Sequence, residues 1–235
     1  GSSSKLILIN KEIFFKKIDS FKNKQTISIY CKTDFIIELF KIIIDIPFKI
    51  ILFTGCSDLP IDKKLFLNRP KNIIYWFGEN PTFQHKNFIP TPIGSLAGSW
   101  IGNEFINYEL TQHKNFIQTI INNKPKKIKN IVLLAFSLKT NNNRIKMYNY
   151  FKDKKFVTNL ASIDDNKKLT KSEFLDEIYN HEFILSPEGN GIDCGRTWLS
   201  LQCGSIPIVK SSPFTEYFRN KLPIFIYKNL NDITI

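Results

Sequence analysis

The segment richest in possible chemistry is Ser186-Pro187-Glu188-Gly189-Asn190-Gly191-Ile192-Asp193-Cys194-Gly195-Arg196-Thr197-Trp198, which passes from an apolar, strand-like run into a helix-like one. Glycines at 189 and 191 let the backbone approach a ligand closely and permit positive φ. A helix that follows the loop directs unpaired N–H groups and its positive dipole end into it. Arg196, about one turn into that helix, adds a fork of donors suited to phosphate oxygens. Together they describe an anion site. A plain strand–turn–helix connection, its glycines only closing the turn, has the same spacing. Neither the G-x-G-x-x-G spacing of dinucleotide sites nor the G-K-[ST] of a P-loop is present, so spacing alone stops at a phosphate-like ligand.

The elements that must position this loop read as alternating strands and helices. In the first half Lys5 to Asn10, Thr26 to Tyr30, Phe48 to Thr54 and Asn72 to Phe77 are predicted strands. Asp34 to Ile44 is a predicted helix with Thr33 or Asp34 as its cap, and Glu104 to Ile121 is a second, longer one. Asn122-Asn123-Lys124-Pro125-Lys126-Lys127 is polar and carries a proline, and it marks the expected boundary between domains at 5–122 and 126–235. Beyond it the alternation restarts. Predicted strands are Lys129 to Phe136, Phe156 to Asn159, Phe183 to Ser186, Ile206 to Val209 and Ile224 to Tyr227. Predicted helices are Arg144 to Phe151, Lys171 to Asn180, Asp193 to Cys203 and Phe214 to Asn220. This alternation implies an α/β protein of two parallel sheets, with a ligand in the cleft outside the carboxyl ends of the strands.

Composition bounds the function. The chain has 235 residues, 43% hydrophobic and 23% charged, which suits a globular protein and excludes disorder as its main state. The net charge of +12 would suit a polyanionic partner, yet the lysines are spread along a chain rich in Lys, Asn and Ile. Composition drift is therefore the main reading, and nucleic acid is not expected as a partner. Cys31, Cys56, Cys194 and Cys203 show no C-x-x-C spacing, and His85, His113 and His181 lie far apart, so neither a zinc ribbon nor a disulfide framework is read. Apolar runs fall well below the about 18 residues of a membrane span. Gly1-Ser2-Ser3-Ser4 reads as a cloning remnant, no signal peptide is read, and the stop within Asp232-Ile233-Thr234-Ile235 suggests a piece of something longer. Reduced cysteines and a cytoplasmic location are expected.

Resemblance carries the reading further. Gly189-Asn190-Gly191-Ile192-Asp193-Cys194, Arg196-Thr197-Trp198 and Gly204-Ser205-Ile206-Pro207-Ile208-Val209-Lys210-Ser211-Ser212 resemble the donor-binding half of exostosin-like glycosyltransferases, as found in large DNA viruses, algae and bacteria. Phe136 to Arg144, Tyr148 to Val157 and Thr91-Pro92-Ile93-Gly94 also resemble parts of such proteins. The resemblance implies two Rossmann-like domains facing each other across a cleft, the GT-B arrangement. The C-terminal half would hold a nucleotide-sugar through Arg144, Ser186, Glu188, Gly189, Asn190, Gly191, Asp193, Arg196 and Thr197. The N-terminal half would hold the acceptor: a glycan, a lipid-linked sugar or a protein. Two positions depart from the family pattern. Leu199 stands where a ribose-binding Glu usually follows R-T-W, which leaves backbone or Ser200 to hold the ribose or marks a degenerate site, and Gly195 replaces a frequent His.

Further candidates follow from this reading. Arg144, after Asn141-Asn142-Asn143, could reach the diphosphate from the opposite side, or be an exposed arginine at a helix start. Asp58 and Glu79 each follow a predicted strand and are the carboxylates placed to deprotonate an acceptor hydroxyl; Asp58 equally suits a turn. His85 and Trp100 are expected at the acceptor, Trp100 as a stacking platform, while Trp76 and most phenylalanines are core. No Asp-x-Asp occurs, so no metal or other cofactor is expected, and the helix N-terminus with Arg196 would stabilise the leaving diphosphate. The rival reading is a non-catalytic module that binds a nucleotide or another polyanion.

Overall fold

The structure is a computed structural model that describes residues 14–16, 18, 25–94, 118, 122, 130–161, 169 and 171–234. The chain divides into two compact units, Gly1–Thr91 and Pro92–Ile235. The backbone explains the position of this division. Thr91 N donates to the Gly78 carbonyl at 2.9 Å and closes the first sheet. Two residues on, Ile93 N donates to the Asp193 carboxylate at 2.8 Å. The boundary expected between 122 and 126 lies, Asn122 aside, outside the described residues. So do the expected strand Lys5 to Asn10, all but Gln118 of the helix Glu104 to Ile121, and Trp100.

The first unit is a four-stranded parallel sheet in the order β1-β2-β3-β4, formed by Thr26–Lys32, Lys49–Gly55, Ile73–Gly78 and Phe88–Pro90. Helices α1 (Ile36–Ile43) and α2 (Lys63–Leu67) connect the first three strands. Ile36, Leu39, Phe40 and Ile43 recur at helical spacing and pack, with Phe66 of α2, against Ile27, Cys31, Ile50, Leu52 and Trp76. Trp76 is fully buried, as expected, and its indole N–H donates to Thr54 Oγ1 at 2.8 Å. The expected cap of α1 is absent. Thr33–Phe35 forms a 3-10 turn instead, and among the described residues no side chain caps α1 and the buried Thr33 hydroxyl has no partner.

Both helices lie on one face of that sheet. The other face carries a row set by register, Tyr30 opposite Phe53 and Phe53 opposite Phe77, with Phe53 and Phe77 stacked at 4.8 Å. Tyr30, Phe53 and Tyr75 on this face are exposed.

The second unit is a five-stranded parallel sheet in the order β6-β5-β7-β8-β9. Its strands are β5 Asn130–Leu134, β6 Val157–Asn159, β7 His181–Leu185, β8 Ile206–Lys210 and β9 Phe225–Tyr227. The intervening helices are α3 Asn142–Phe151, α4 Lys171–Tyr179, α5 Gly195–Gln202 and α6 Pro213–Tyr217. Each matches a predicted element to within a few residues. Alternate residues of β5 point to opposite cores. Val132 and Leu134 meet Met147 and Phe151 of α3, and Leu133 meets Ile178 of α4. The sheet is therefore covered on both faces, as near-continuous apolar strands require. The chain is an α/β protein with two parallel sheets.

Candidate anion-binding site

In the second unit the chain runs from β5 outward to β6, then crosses back to β7 and continues through β8 and β9. A sheet wound in this order opens a crevice outside the carboxyl ends of the two strands at its switch point, here β5 and β7. The segments that leave those ends are 135–141 and the glycine loop 186–194.

Arg144 and Asn141 tie the two segments together. Arg144 Nε donates to the Glu188 carbonyl at 2.8 Å, and Nη1 donates to the Ser137 carbonyl and to Thr140 Oγ1, each at 3.1 Å. Asn141 caps α3 by accepting from Asn143 N at 2.8 Å, while its Nδ2 donates to the Gly189 carbonyl at 3.1 Å. Arg144 is therefore a buried residue, 6% exposed, and not an exposed helix-start arginine. Its Nη2 has no acceptor among the described residues and borders Gly189, where an added Cβ would lie 3.5 Å away.

Arg196 joins it from α5. Among the described residues its Nη1 reaches only the Cys194 sulfur, a weak acceptor, at 3.5 Å, and its buried Nε has no partner. The two guanidinium carbons lie 5.8 Å (Arg144) and 5.5 Å (Arg196) from the centroid of the Phe136 ring. Among the described residues no carboxylate pairs with either. Burial first, and the charge of Arg196 second, pull the pKa of Arg144 down to about 10, which still leaves it charged at neutral pH. Two cations that converge on one ring, with N–H groups unused, form a site whose electrostatic cost an anion would offset. The first turn of α5 adds to this, since its N-cap residue Cys194 makes no side-chain cap.

Other residues expected to line the site support it from within. Ser186 and Thr197 are buried and bond each other, Oγ to Oγ1, at 2.9 Å. Asp193 is turned inward. Its Oδ2 accepts from Ile93 N, its Oδ1 from Cys194 N at 2.7 Å, and the Trp198 indole N–H reaches both oxygens at 2.7 and 2.9 Å. Burial pushes its carboxyl up to about 6, against the downward pull of those donors. Gly189 N donates to the Gly191 carbonyl at 3.0 Å, and Asn190 is exposed at the tip. Gly189 and Gly191 do not take up the positive φ they permit, which among the described glycines occurs at Gly94 and Gly204. Glu188 gives its carbonyl to Arg144, and its carboxylate lies near enough to the Tyr227 hydroxyl to help raise that pKa.

Two residues of α5 bear on a ribose. Leu199, which cannot accept a hydrogen bond, packs on Leu133, Ala135, Ile178 and Ile184 beside Phe174 and Cys203. Ser200, expected as an alternative holder, is fully buried and donates to the Arg196 carbonyl at 2.7 Å. Neither side chain is placed to bind a ribose.

In the first unit Asp58 and Glu79 follow β2 and β3 at their carboxyl ends. Asp58 is exposed, while Glu79 is half-buried over Gly55, where an added Cβ would lie 2.6 Å from its Oε1. His85 precedes β4, at the amino end of that strand, where its Nδ1 accepts from Asn87 N at 3.0 Å and its ring lies 4.6 Å from Phe66. The topology thus separates His85 from the two carboxylates. Trp100 lies outside the described residues.

Phe136, Ser137, Thr140 and Asn141 were not singled out as site residues from the sequence. Their signal was positional, since Phe136 ends a predicted strand and the other three follow it. Among the described residues no three His, Cys, Asp or Glu side chains could hold a metal ion, and no helix is long and apolar enough to cross a membrane. No protein-family model matches the chain, and no curated protein matches it.

Proposed function

We propose that the second unit binds the diphosphate of a nucleotide-sugar and that the chain transfers the sugar to an acceptor hydroxyl, in a GT-B arrangement of its two units. The observation that carries this reading is the convergence of Arg144 and Arg196 on Phe136 at the switch point, with no carboxylate partner among the described residues. The resemblance to exostosin-like glycosyltransferases supplies the reaction class. As the bond from the sugar carbon to the phosphate oxygen breaks, the diphosphate takes the electron pair, and Arg144 Nη2, Arg196 and the first turn of α5 stabilise its growing charge without a metal. The acceptor oxygen forms the new bond and loses its proton to a carboxylate of the first unit, Glu79 or Asp58.

The packing of Leu199 favours a second reading, a nucleotide-binding module without transferase activity, because α5 then offers no carboxylate to a ribose. A panel of nucleoside diphosphates tested beside a DNA oligonucleotide decides whether the site exists. A nucleotide that binds the native state raises the melting temperature, and no shift with any nucleotide overturns the reading. Release of nucleoside diphosphate from nucleotide-sugars in the presence of acceptor then separates transferase from module.

A further inference from the structure

The carboxyl edge of the same sheet continues past the glycine loop to β8 and β9, where a cleft of about 660 Å³ opens, lined by Ser211, Glu216, Arg219, Ile226, Lys228 and Asp232. That volume lies within the range of small-molecule sites. Ser211 directly follows β8 and Lys228 directly follows β9, so the cleft is built on strand ends. Ser211 N donates to the carbonyl of Tyr227 at 2.7 Å. Leu185 pairs with Ile208 and Ser186 N donates to the Ile208 carbonyl at 2.9 Å, so the glycine loop leaves β7 beside the end of β8 from which Ser211 follows.

The two carboxylates of this cleft are occupied differently. Glu216 Oε1 accepts from Ser211 Oγ at 2.7 Å and from Arg219 Nη2 at 2.8 Å, and Oε2 accepts from Arg219 Nε. Asp232 Oδ2 accepts from Lys228 N at 3.0 Å and Asn229 N at 2.8 Å, whereas its Oδ1 has no donor among the described residues. One oxygen fixes the side chain to the backbone and the other is open to a hydroxyl. Arg219 and Lys228 balance the charges of Glu216 and Asp232, so the cleft offers a second phosphate no net attraction. A neutral diol meets acceptors in Asp232 and Glu216, donors in Arg219 and Lys228, and an apolar floor in Ile226.

We infer that this cleft takes the vicinal diol of the ribose whose diphosphate the arginine pair holds, with Asp232 Oδ1 accepting from one of the two hydroxyls. The inference rests on the proposed diphosphate site and assigns to Asp232 the contact that Leu199 cannot make.

Calorimetry on the full chain with pyrophosphate, with UDP, GDP, ADP and CDP, and with their 2′,3′-dideoxy counterparts tests it. The wild type is expected to bind pyrophosphate and to bind its best ribonucleotide about tenfold or more tighter than the dideoxy form, the scale of one charge-assisted hydrogen bond. Asp232→Asn should abolish that preference and leave pyrophosphate affinity unchanged. Glu216→Gln, which spares the backbone bonds of Asp232, should reduce the preference and serves where Asp232→Asn fails to fold. Pyrophosphate binding with no preference in the wild type, or a preference that survives both substitutions, overturns the ribose assignment alone. Absence of any pyrophosphate or nucleotide binding overturns the diphosphate reading and the ribose assignment with it.

Discussion

The Arg144 and Arg196 guanidinium carbons lie 5.8 and 5.5 Å from the centroid of one Phe136 ring, yet among the described residues only Arg144 is anchored by the protein's own oxygens. Among the described residues Arg196 has a single side-chain acceptor, the sulfur of Cys194. The two residues therefore differ in what their removal should do.

Arg196→Ala is expected to weaken nucleoside-diphosphate binding by ~1.5–3 kcal/mol, the range of a hydrogen bond to a charged group, with little change in melting temperature. Arg144→Ala should weaken binding as well and also destabilise the fold by ~1–3 kcal/mol, because the carbonyls of the half-buried Ser137 and Glu188 lose their donor. Calorimetry and thermal melts on both variants read the contrast. Unchanged affinity in Arg196→Ala would remove that residue from the site.

Leu199→Glu is expected to destabilise the protein by ~1–3 kcal/mol, because it presses a carboxylate onto the cluster of Leu133, Ala135, Ile178 and Ile184. It should create no new preference between ribo- and deoxynucleotides. A variant that melts normally and gains such a preference would show that position 199 faces the ligand after all.

Asp193 makes stability depend on pH. Its carboxyl stands at about 6 in the folded chain against an ordinary 3.8, so between those values the folded state binds more protons than the unfolded one. Stability from this group is present below pH ~4 and is lost as pH rises toward ~6, by up to about 3 kcal/mol for a shift of this size. The Trp198 indole N–H resonance, bonded to both oxygens, should titrate with a midpoint near 6. An invariant resonance from pH 4 to 8 would contradict this.

The thiols should separate by accessibility. Cys56 is exposed, whereas burial pushes Cys31 and Cys203 up to about 12. Brief alkylation of the native protein followed by mass spectrometry should find Cys56 modified, and Cys31 and Cys203 modified only after denaturation. Labelling of Cys31 at the rate of Cys56 would show that the first unit opens readily.

Much of the fold was legible because the signals are local. The run around 130–134 alternates between two apolar cores, the run 206–210 is a short, largely buried apolar stretch, and the helix over Ile36–Ile43 repeats its apolar residues at helical spacing. The five residues of α2 are too few for a period to show, and β4 is three residues within a proline-punctuated stretch. The cap of α1 failed because the chain turns through a 3-10 segment before the helix begins. At the site, residue types suggested an anion, but which arginine faces which ring depends on strand order, which no local pattern encodes. Asp193 was misplaced for the same reason: the amide of Ile93, 100 residues earlier, draws it inward.

The row of Tyr30, Phe53 and Phe77 bears on how the protein behaves in concentrated solution. Parallel sheets are ordinarily covered on both faces, and in the first unit α1 and α2 share one. Among the described residues the other face keeps its stacked rings and 61% of Tyr30 in contact with water. Such a patch is adhesive. Solubility at high concentration would then be set by colloidal self-association through these rings more than by the strength of the core beneath them.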